Sequence, residues 1–161
     1  MKQFFITLFL VVAGSMLLSA QENAFSVQEL RALTAPGNKV AVVFEDLTDD
    51  FDEKDAYIKA YLQEWSQWEV VESHQQADFI LYVEGRAQHT LENTPLAKTY
   101  YLAPTIRRKD GTDAWKGETV QDWAHLANGF RAVKGVSWQL VRSLILGLDK
   151  ALGGTPVFVD V

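Results

Sequence analysis

Apolar positions in this chain fall into one nearly unbroken run at the start and several short runs afterwards. Lys2 precedes the first run, Phe4–Leu18, and the small residues Ser19-Ala20 follow it before the polar stretch that opens with Gln21. A positive start, an apolar run and small residues at its exit are typical of a secretory leader. The pattern predicts a signal peptide over residues 1–20, cleaved after Ala20.

An uncleaved membrane anchor is the alternative interpretation of the same run. The run has about 15 residues, whereas a spanning helix needs about 20. The chain contains no cysteine, so it lacks the residue that bacterial lipid attachment requires, and no disulfide can stabilise its fold. We therefore expect export to the periplasm or the exterior, without stable membrane insertion after cleavage.

Later apolar runs are short, rich in β-branched and aromatic residues, and predict strands. Asp78–Glu84 has the strongest signal, and because its apolar residues do not alternate with polar ones, we expect a central strand covered on both faces. Pro104 predicts an edge position or a bulge, and Asp110-Gly111 predicts a tight hairpin in which both residues have positive φ. The predicted strands are Lys39–Phe44, Trp68–Val71, Asp78–Glu84, Lys98–Arg107 and Ala114–Val120.

Apolar residues at helical spacing predict helices between these strands. A short one is expected over Val27–Leu33. Asp49 or Asp50 would cap a second helix, which ends near Trp65. The third is predicted over Val136–Leu152, with Gly153-Gly154 ending it, and a terminal strand is expected over Pro156–Val161.

The order of these elements predicts an α+β fold: a two-layer sandwich of a mixed β-sheet, with an antiparallel hairpin and the two main helices on one face. A chain of this length after leader removal is typical of one domain. We expect a signal peptide over 1–20, a lead-in segment over 21–38 and a single domain over 39–161.

Five motifs follow one another in a defined order: Val40–Phe44, Trp68–Val71, Ala77–Gly85, Asp110-Gly111 and Trp115. In this order they resemble small envelope domains of the TolB amino-terminal, curli-secretion-channel and penicillin-binding-protein-activator type. The resemblance covers about residues 39–152 and implies a non-catalytic accessory role, since such domains bind partner proteins in the envelope.

Net charge narrows the range of partners. Removing Lys2 with the leader takes the formal charge from −6 to −7, which is the wrong sign for phosphate backbones and for anionic lipid surfaces. We expect an envelope protein as partner and no nucleic acid, while the oligomeric state stays open.

Motifs for catalysis and metal binding are weak. Counted from Asp46, the acidic stretch places Phe51 where a calcium loop needs glycine and Tyr57 where it needs glutamate. The histidines lie far apart at His74, His89 and His125. With neither a Gly-x-Ser-x-Gly elbow nor a cysteine nucleophile, we expect no catalytic residues, no metal site and no cofactor.

The best candidate for a binding site is an irregular segment before the last helix. Trp and Arg side chains are favoured at binding hot spots, and loops often carry function. The alternative is that the tryptophan folds back over the sheet edge as a plug. The candidate partner-binding residues are Trp123, His125, Asn128, Phe130 and Arg131.

These observations predict a secreted or periplasmic, non-catalytic accessory protein that binds another protein. A small secreted hydrolase acting on glycan or cell-wall substrates is one alternative, because the many acidic residues could include a catalytic carboxylate pair. A self-assembling structural protein is another, with Val157–Val159 as an edge that pairs with a second chain.

Overall fold

A computed structural model describes residues 26–52, 55–89, 98–124 and 132–154, which form the predicted α+β fold. The helices are α1 (Val27–Leu33), α2 (Ala56–Trp65) and α3 (Ala132–Ala151). The strands are β1 (Lys39–Asp46), β2 (Glu69–Val71), β3 (Phe79–His89), β4 (Lys98–Arg107), β5 (Asp113–Lys116) and β6 (Val120–Trp123). The predicted leader, the predicted terminal strand and Val157–Val159 lie outside the described residues.

The six strands form one mixed sheet in the order β2-β1-β3-β4-β5, and β6 also pairs with β4. β1 runs parallel to β2 and β3, while β4 runs antiparallel to β3, β5 and β6. Parallel neighbours need a crossover connection, which α2 provides between β1 and β2. β3 is therefore central, as its sequence predicts.

The hydrophobic core lies between one face of the sheet and the helices. α2 and α3 contact each other, and α3 also packs on β4 and β6, so the two main helices share a face as predicted. Trp68 joins α1 to this core, because its indole N–H donates to the Thr34 carbonyl at 2.9 Å. Fully buried core side chains include Val40, Ile58, Leu62, Phe79, Leu81, Val83, Leu102, Leu140 and Leu144.

The opposite face of the sheet has no helix among the described residues, so the expectation that both faces of β3 are covered is wrong. Burial alternates along β3: Phe79, Leu81 and Val83 are buried, whereas Tyr82 on the opposite side is only partly covered. Tyr82 is tolerated there because the Arg107 guanidinium carbon lies 3.4 Å from its ring centroid, a favourable cation–π contact.

Pro104 does not lie on an edge strand, so of the two alternatives predicted for it the edge position is wrong. It pairs with Val83 of β3, and its carbonyl accepts a hydrogen bond from the Gly117 N–H at 2.9 Å. On that side β4 changes neighbour from β5 to β6. The missing proline N–H therefore faces the connection between two short strands, which we call the β5–β6 seam. The register irregularity of β4 lies between Ile106 and Arg107.

The second helix begins at Ala56, several residues later than predicted, so neither Asp49 nor Asp50 is its N-cap. Asp55 occupies the cap position without a side-chain hydrogen bond to the helix. The preceding segment instead follows the edge of β3 as a loop, because its amides bind the Asp46 carboxylate. Phe51, predicted on the helix face, is buried in this loop.

The hairpin predicted at Asp110-Gly111 joins β4 to β5, but only Gly111 has positive φ, at +85°. Its N–H donates to the Arg108 carbonyl at 2.9 Å, so the turn closes one residue earlier than a two-residue hairpin would. The returning strand predicted over Ala114–Val120 divides at the β5–β6 seam into β5 and β6. α3 begins at residue 132, before the predicted start, and ends next to Gly153 as predicted.

Candidate functional site

Trp123 belongs to β6 and not to the irregular segment predicted for it. Its pairing with Thr99 of β4 places it on the face of the sheet away from the helices. The side chain is 54% exposed, more than a plug buried over the sheet edge would be. The other candidate residues, His125, Asn128, Phe130 and Arg131, lie outside the described residues.

A row of side chains crosses the same open face next to Trp123. The strand registers align Arg86 of β3, Tyr101 of β4 and Gln121 of β6. The guanidinium carbon of Arg86 lies 4.8 Å from the Tyr101 ring centroid. Arginine stacked on an aromatic ring keeps its N–H donors available around the rim of the plane, so the pair offers both apolar area and hydrogen-bond donors.

Leu47 lies on the far side of this row and is 56% exposed. Its N–H donates to the Gly85 carbonyl at 2.9 Å, and the Ala87 N–H donates to Thr48 Oγ1 at 3.0 Å. The loop after β1 therefore continues the pairing along β3. A shallow groove of about 190 Å³ opens here, lined by Leu47, Glu84, Arg86, Tyr101, Ala103 and Thr119.

We call Leu47, Arg86, Tyr101, Gln121 and Trp123 the open-face patch. Of these five residues, only Trp123 is among the candidates predicted from the sequence. A signal was present, because Glu84, Arg86 and Gln88 alternate with small residues in the second half of β3. That alternation indicates a strand with one solvated face.

The Asp46 carboxylate fixes the loop that carries Leu47. Its Oδ1 accepts from the backbone N–H groups of Thr48 at 3.1 Å, Asp49 at 2.8 Å and Asp50 at 3.4 Å. Its Oδ2 accepts from the Phe51 N–H at 3.0 Å. Burial acts to raise the pKa of Asp46, but these four donors together hold that pKa below its ordinary value. Hydrogen bonds to the charged form have this effect.

An ion pair ties the same loop to the start of β4. Lys98 donates to the Asp50 carboxylate, and this hydrogen bond raises the pKa of Lys98 against the opposing effect of burial. Lys98 immediately precedes Thr99, the residue that pairs with Trp123. The loop and the β4–β6 end of the open-face patch are therefore mechanically connected.

At the other end of the open face, charged side chains are held by partners within the fold. Arg107 Nε donates to Asp113 at 2.9 Å, and Lys116 lies 3.0 Å from the same carboxylate. The hydrogen bonds from Lys116 and then Arg107 lower the pKa of Asp113. Arg107 and Lys116 are therefore both paired with a carboxylate. Arg86 differs, because among the described residues it stacks on a ring and forms no ion pair.

The acidic stretch and the histidines hold no metal cluster in the part of the chain that the structure describes. There, no three side chains among His, Asp and Glu are grouped as metal ligands. Asp46 binds backbone amides, Asp50 pairs with Lys98, and Asp55 pairs with Lys59 at 2.9 Å. His74 precedes β3 and His89 ends it, while His125 lies outside the described residues.

Comparison with known proteins gives a likeness of fold. No family model and no curated protein sequence matches the chain, so the resemblance to TolB-type and curli-type domains stays a prediction. None of the helices in the part of the chain that the structure describes has the length and hydropathy of a membrane-spanning segment.

Three solved structures illustrate the likeness. A minor lipoprotein from Acinetobacter baumannii is 14% identical with a TM-score of 0.46, over 66% of this chain and 91% of that one. Uncharacterized lipoprotein B from Nitrosomonas europaea is 11% identical with a TM-score of 0.48, over 74% of this chain and 88% of that one. The dodecamer of a PelC variant from Paraburkholderia phytofirmans is 18% identical with a TM-score of 0.48, over 76% of this chain and 91% of that one. Because these sequence identities and TM-scores are low, the function of this protein must be argued from its own residues.

Proposed function

We propose that this protein is an exported, non-catalytic envelope protein that binds another protein through the open-face patch. The observation that carries the proposal is the position of two exposed apolar side chains, Leu47 and Trp123, on either side of the stacked Arg86–Tyr101 pair. Trp, Tyr and Arg are the residue types that dominate binding energy at protein interfaces. The leader pattern supports the envelope as the place where this contact is made.

The size of the patch suits the centre of a protein interface. Leu47 lies beside β3, and Trp123 lies on β6 beyond β4, so three strand spacings of about 4.8 Å separate them by roughly 14 Å. Two large apolar side chains at this spacing, with a stacked Arg–Tyr pair between them, supply the aromatic and Arg residues that are enriched at protein interfaces. Surrounding residues of β3 and β4 would add contact area.

Rigidity also supports a binding role. Asp46 fixes the loop of Leu47 through four backbone amides, and the Lys98–Asp50 pair connects that loop to β4. A preorganised surface loses little conformational entropy on association. The predicted resemblance to TolB-type envelope domains agrees with the same accessory role.

Site-specific photocrosslinking in the cells that produce the protein tests the proposal. A photoreactive amino acid replaces Gln121 in the patch, and in a matched control it replaces Gln63, an exposed residue of α2. We expect a discrete crosslinked partner from Gln121 and none from Gln63. The mature chain recovered from the same cells should begin at Gln21.

Two variants make the test specific. Trp123→Ala and Arg86→Ala should each reduce the crosslink from Gln121 at least about fivefold, because they remove anchor residues. Thermal unfolding of the purified variants checks that the fold is retained. Equal crosslinking from Gln63 and Gln121, or a crosslink that neither substitution changes, would rule out the patch as the contact surface.

A further inference from the structure

A second groove lies on the helical side of the molecule, away from the open-face patch. Its volume is about 380 Å³, within the range of clefts that hold ligands. One wall is a stripe of α3 at four-residue intervals: Trp138, Arg142, Leu146 and Lys150. The opposite wall includes Glu118 and Val120 at the β5–β6 seam. We call this cleft the α3 groove.

The α3 groove is locally cationic in an acidic protein. Arg142 and Lys150 are exposed, and among the described residues neither forms an ion pair. Arg142 instead stacks on Trp138, with its guanidinium carbon 5.3 Å from the ring centroid. Two cations that form no ion pair with any carboxylate of the described residues, beside a partly exposed tryptophan and a leucine, complement an occupant that is both acidic and apolar.

The spacing of the two cations defines that occupant more closely. Arg142 and Lys150 are eight residues apart on a helix, about 12 Å along its axis. In an extended peptide, residues four positions apart are separated by about 13 Å, and the residue midway points to the same side. Two acids at this separation would reach the two cations, and the middle residue would face Leu146.

We propose that the α3 groove binds an extended segment of a partner protein in which two acidic residues flank an apolar one, each separated from it by one residue. Glu118 on the opposite wall repels acidic side chains, which favours placing both acids against α3. This inference uses residues outside the open-face patch and does not depend on the proposed function of that patch.

Fluorescence anisotropy with a labelled peptide, Gly-Ser-Asp-Ser-Phe-Ser-Asp-Ser-Gly, tests the proposal on the purified mature chain. We expect saturable binding at 50 mM salt that weakens at 500 mM, since salt screens exposed charges. Replacing both aspartates of the peptide with asparagine should weaken binding at least about tenfold. Arg142→Glu and Lys150→Glu should each do the same, a change of about 1.4 kcal/mol.

Matched controls separate a local effect from net charge. Lys109→Glu makes the same change in net charge at an exposed position of the β4–β5 turn. It should alter the affinity for the peptide less than about twofold. Glu118→Gln should tighten peptide binding about twofold, and Gln63→Ala, at an exposed position of α2, should leave it unchanged.

Three outcomes would overturn the proposal. The first is an absence of peptide binding up to 1 mM at low salt. The second is a loss of affinity in Lys109→Glu that equals the loss in Arg142→Glu. The third is binding to vesicles containing phosphatidylglycerol without binding to the peptide, which would assign the groove to a lipid surface.

Discussion

At the scale of single residues, Asp46 determines the path of the chain after β1. Its two oxygens accept from four consecutive backbone amides. At the start of a helix, the first four backbone N–H groups have no acceptor within the helix and need one from outside it. Because one carboxylate satisfies all four, the segment remains a loop beside β3 and carries Leu47 onto the open face.

Asp46→Asn should lower the free energy of unfolding by about 1–2 kcal/mol, because the amide nitrogen cannot accept the hydrogen bond that one carboxylate oxygen receives. The pKa of Asp46 is lower in the folded state, so its contribution is complete above the ordinary value of 3.8 and is lost as pH falls through the folded-state pKa. Urea unfolding from pH 3 to 7 should show the difference from the native chain shrinking below about pH 4.

Asp52→Asn is the matched control for that substitution, because Asp52 is exposed in the same segment. We expect it to change stability by less than about 0.5 kcal/mol at every pH. Equal effects of the two substitutions would mean that the amide contacts of Asp46 contribute nothing specific.

Gly85 is the second residue on which local packing depends. A Cβ at this position would lie 2.8 Å from Phe44 Cε1 and 3.1 Å from Phe51 Cε2. Gly85→Ala should therefore destabilise the protein by about 1–3 kcal/mol through overpacking. In denaturant unfolding, adding Phe44→Leu should recover part of the loss, because it removes the ring that clashes. Strictly additive losses in the double variant would contradict this explanation.

At the scale of elements, the ends of helices and strands depend on interactions between distant segments. α2 ends at Ser66, which adopts a left-handed conformation with φ of 57°. Its N–H donates to the Leu62 carbonyl at 3.0 Å, closing the last turn. Glycine adopts this conformation without the strain that a side chain causes.

Ser66→Gly should accordingly stabilise the protein by about 1 kcal/mol, which chemical denaturation can measure. Ser143→Gly in the interior of α3 is the matched control, and it should destabilise by about 0.5 kcal/mol because glycine has the lower helix propensity. If Ser66→Gly is destabilising as well, strain at Ser66 is not the controlling factor.

The sequence was sufficient to predict most elements, because their apolar residues are periodic and face one core. It was insufficient where a distant partner decides the outcome. Phe51 lies at helical spacing from Ile58, yet the Asp46 hydrogen bonds keep it outside α2. Val120 and Trp123 are good strand residues separated by polar ones, and only pairing with β4 makes this segment a strand.

The candidate site likewise combines features that the local sequence predicts with features that depend on distant segments. Trp123 could be selected from its residue type alone, since tryptophan is common at binding hot spots. Its alignment with Tyr101 and Arg86 follows from the registers of three strands, which no local pattern specifies. The exposure of Leu47 likewise depends on the loop that Asp46 holds.

At the scale of the whole molecule, the sheet has one face that builds the core and one that faces outward. The tryptophans illustrate the difference: Trp68 is 4% exposed and packs edge-on against Phe79, whereas Trp123 is 54% exposed. Exposed residues of the outer face such as Trp123 can therefore be changed with less effect on folding than residues of the core.

Trp123→Ala should lower the free energy of unfolding by less than about 1 kcal/mol, whereas Trp68→Ala should lower it by about 3–5 kcal/mol because it empties a core site. Parallel thermal and urea unfolding of the two purified variants measures the contrast. Comparable losses would show that Trp123 is part of the core and would remove the basis for the open-face patch.

The β5–β6 seam has a practical consequence for engineering. β4 is one continuous strand that pairs with two shorter strands, β5 and β6, along the same side. Pro104 has no backbone N–H to donate at the point where these two strands meet. Extra sequence placed between Glu118 and Thr119 would therefore interrupt no ladder of backbone hydrogen bonds. An affinity tag or a fluorescent reporter is better accommodated there than within any strand, since exposed connections with few backbone contacts tolerate insertions best.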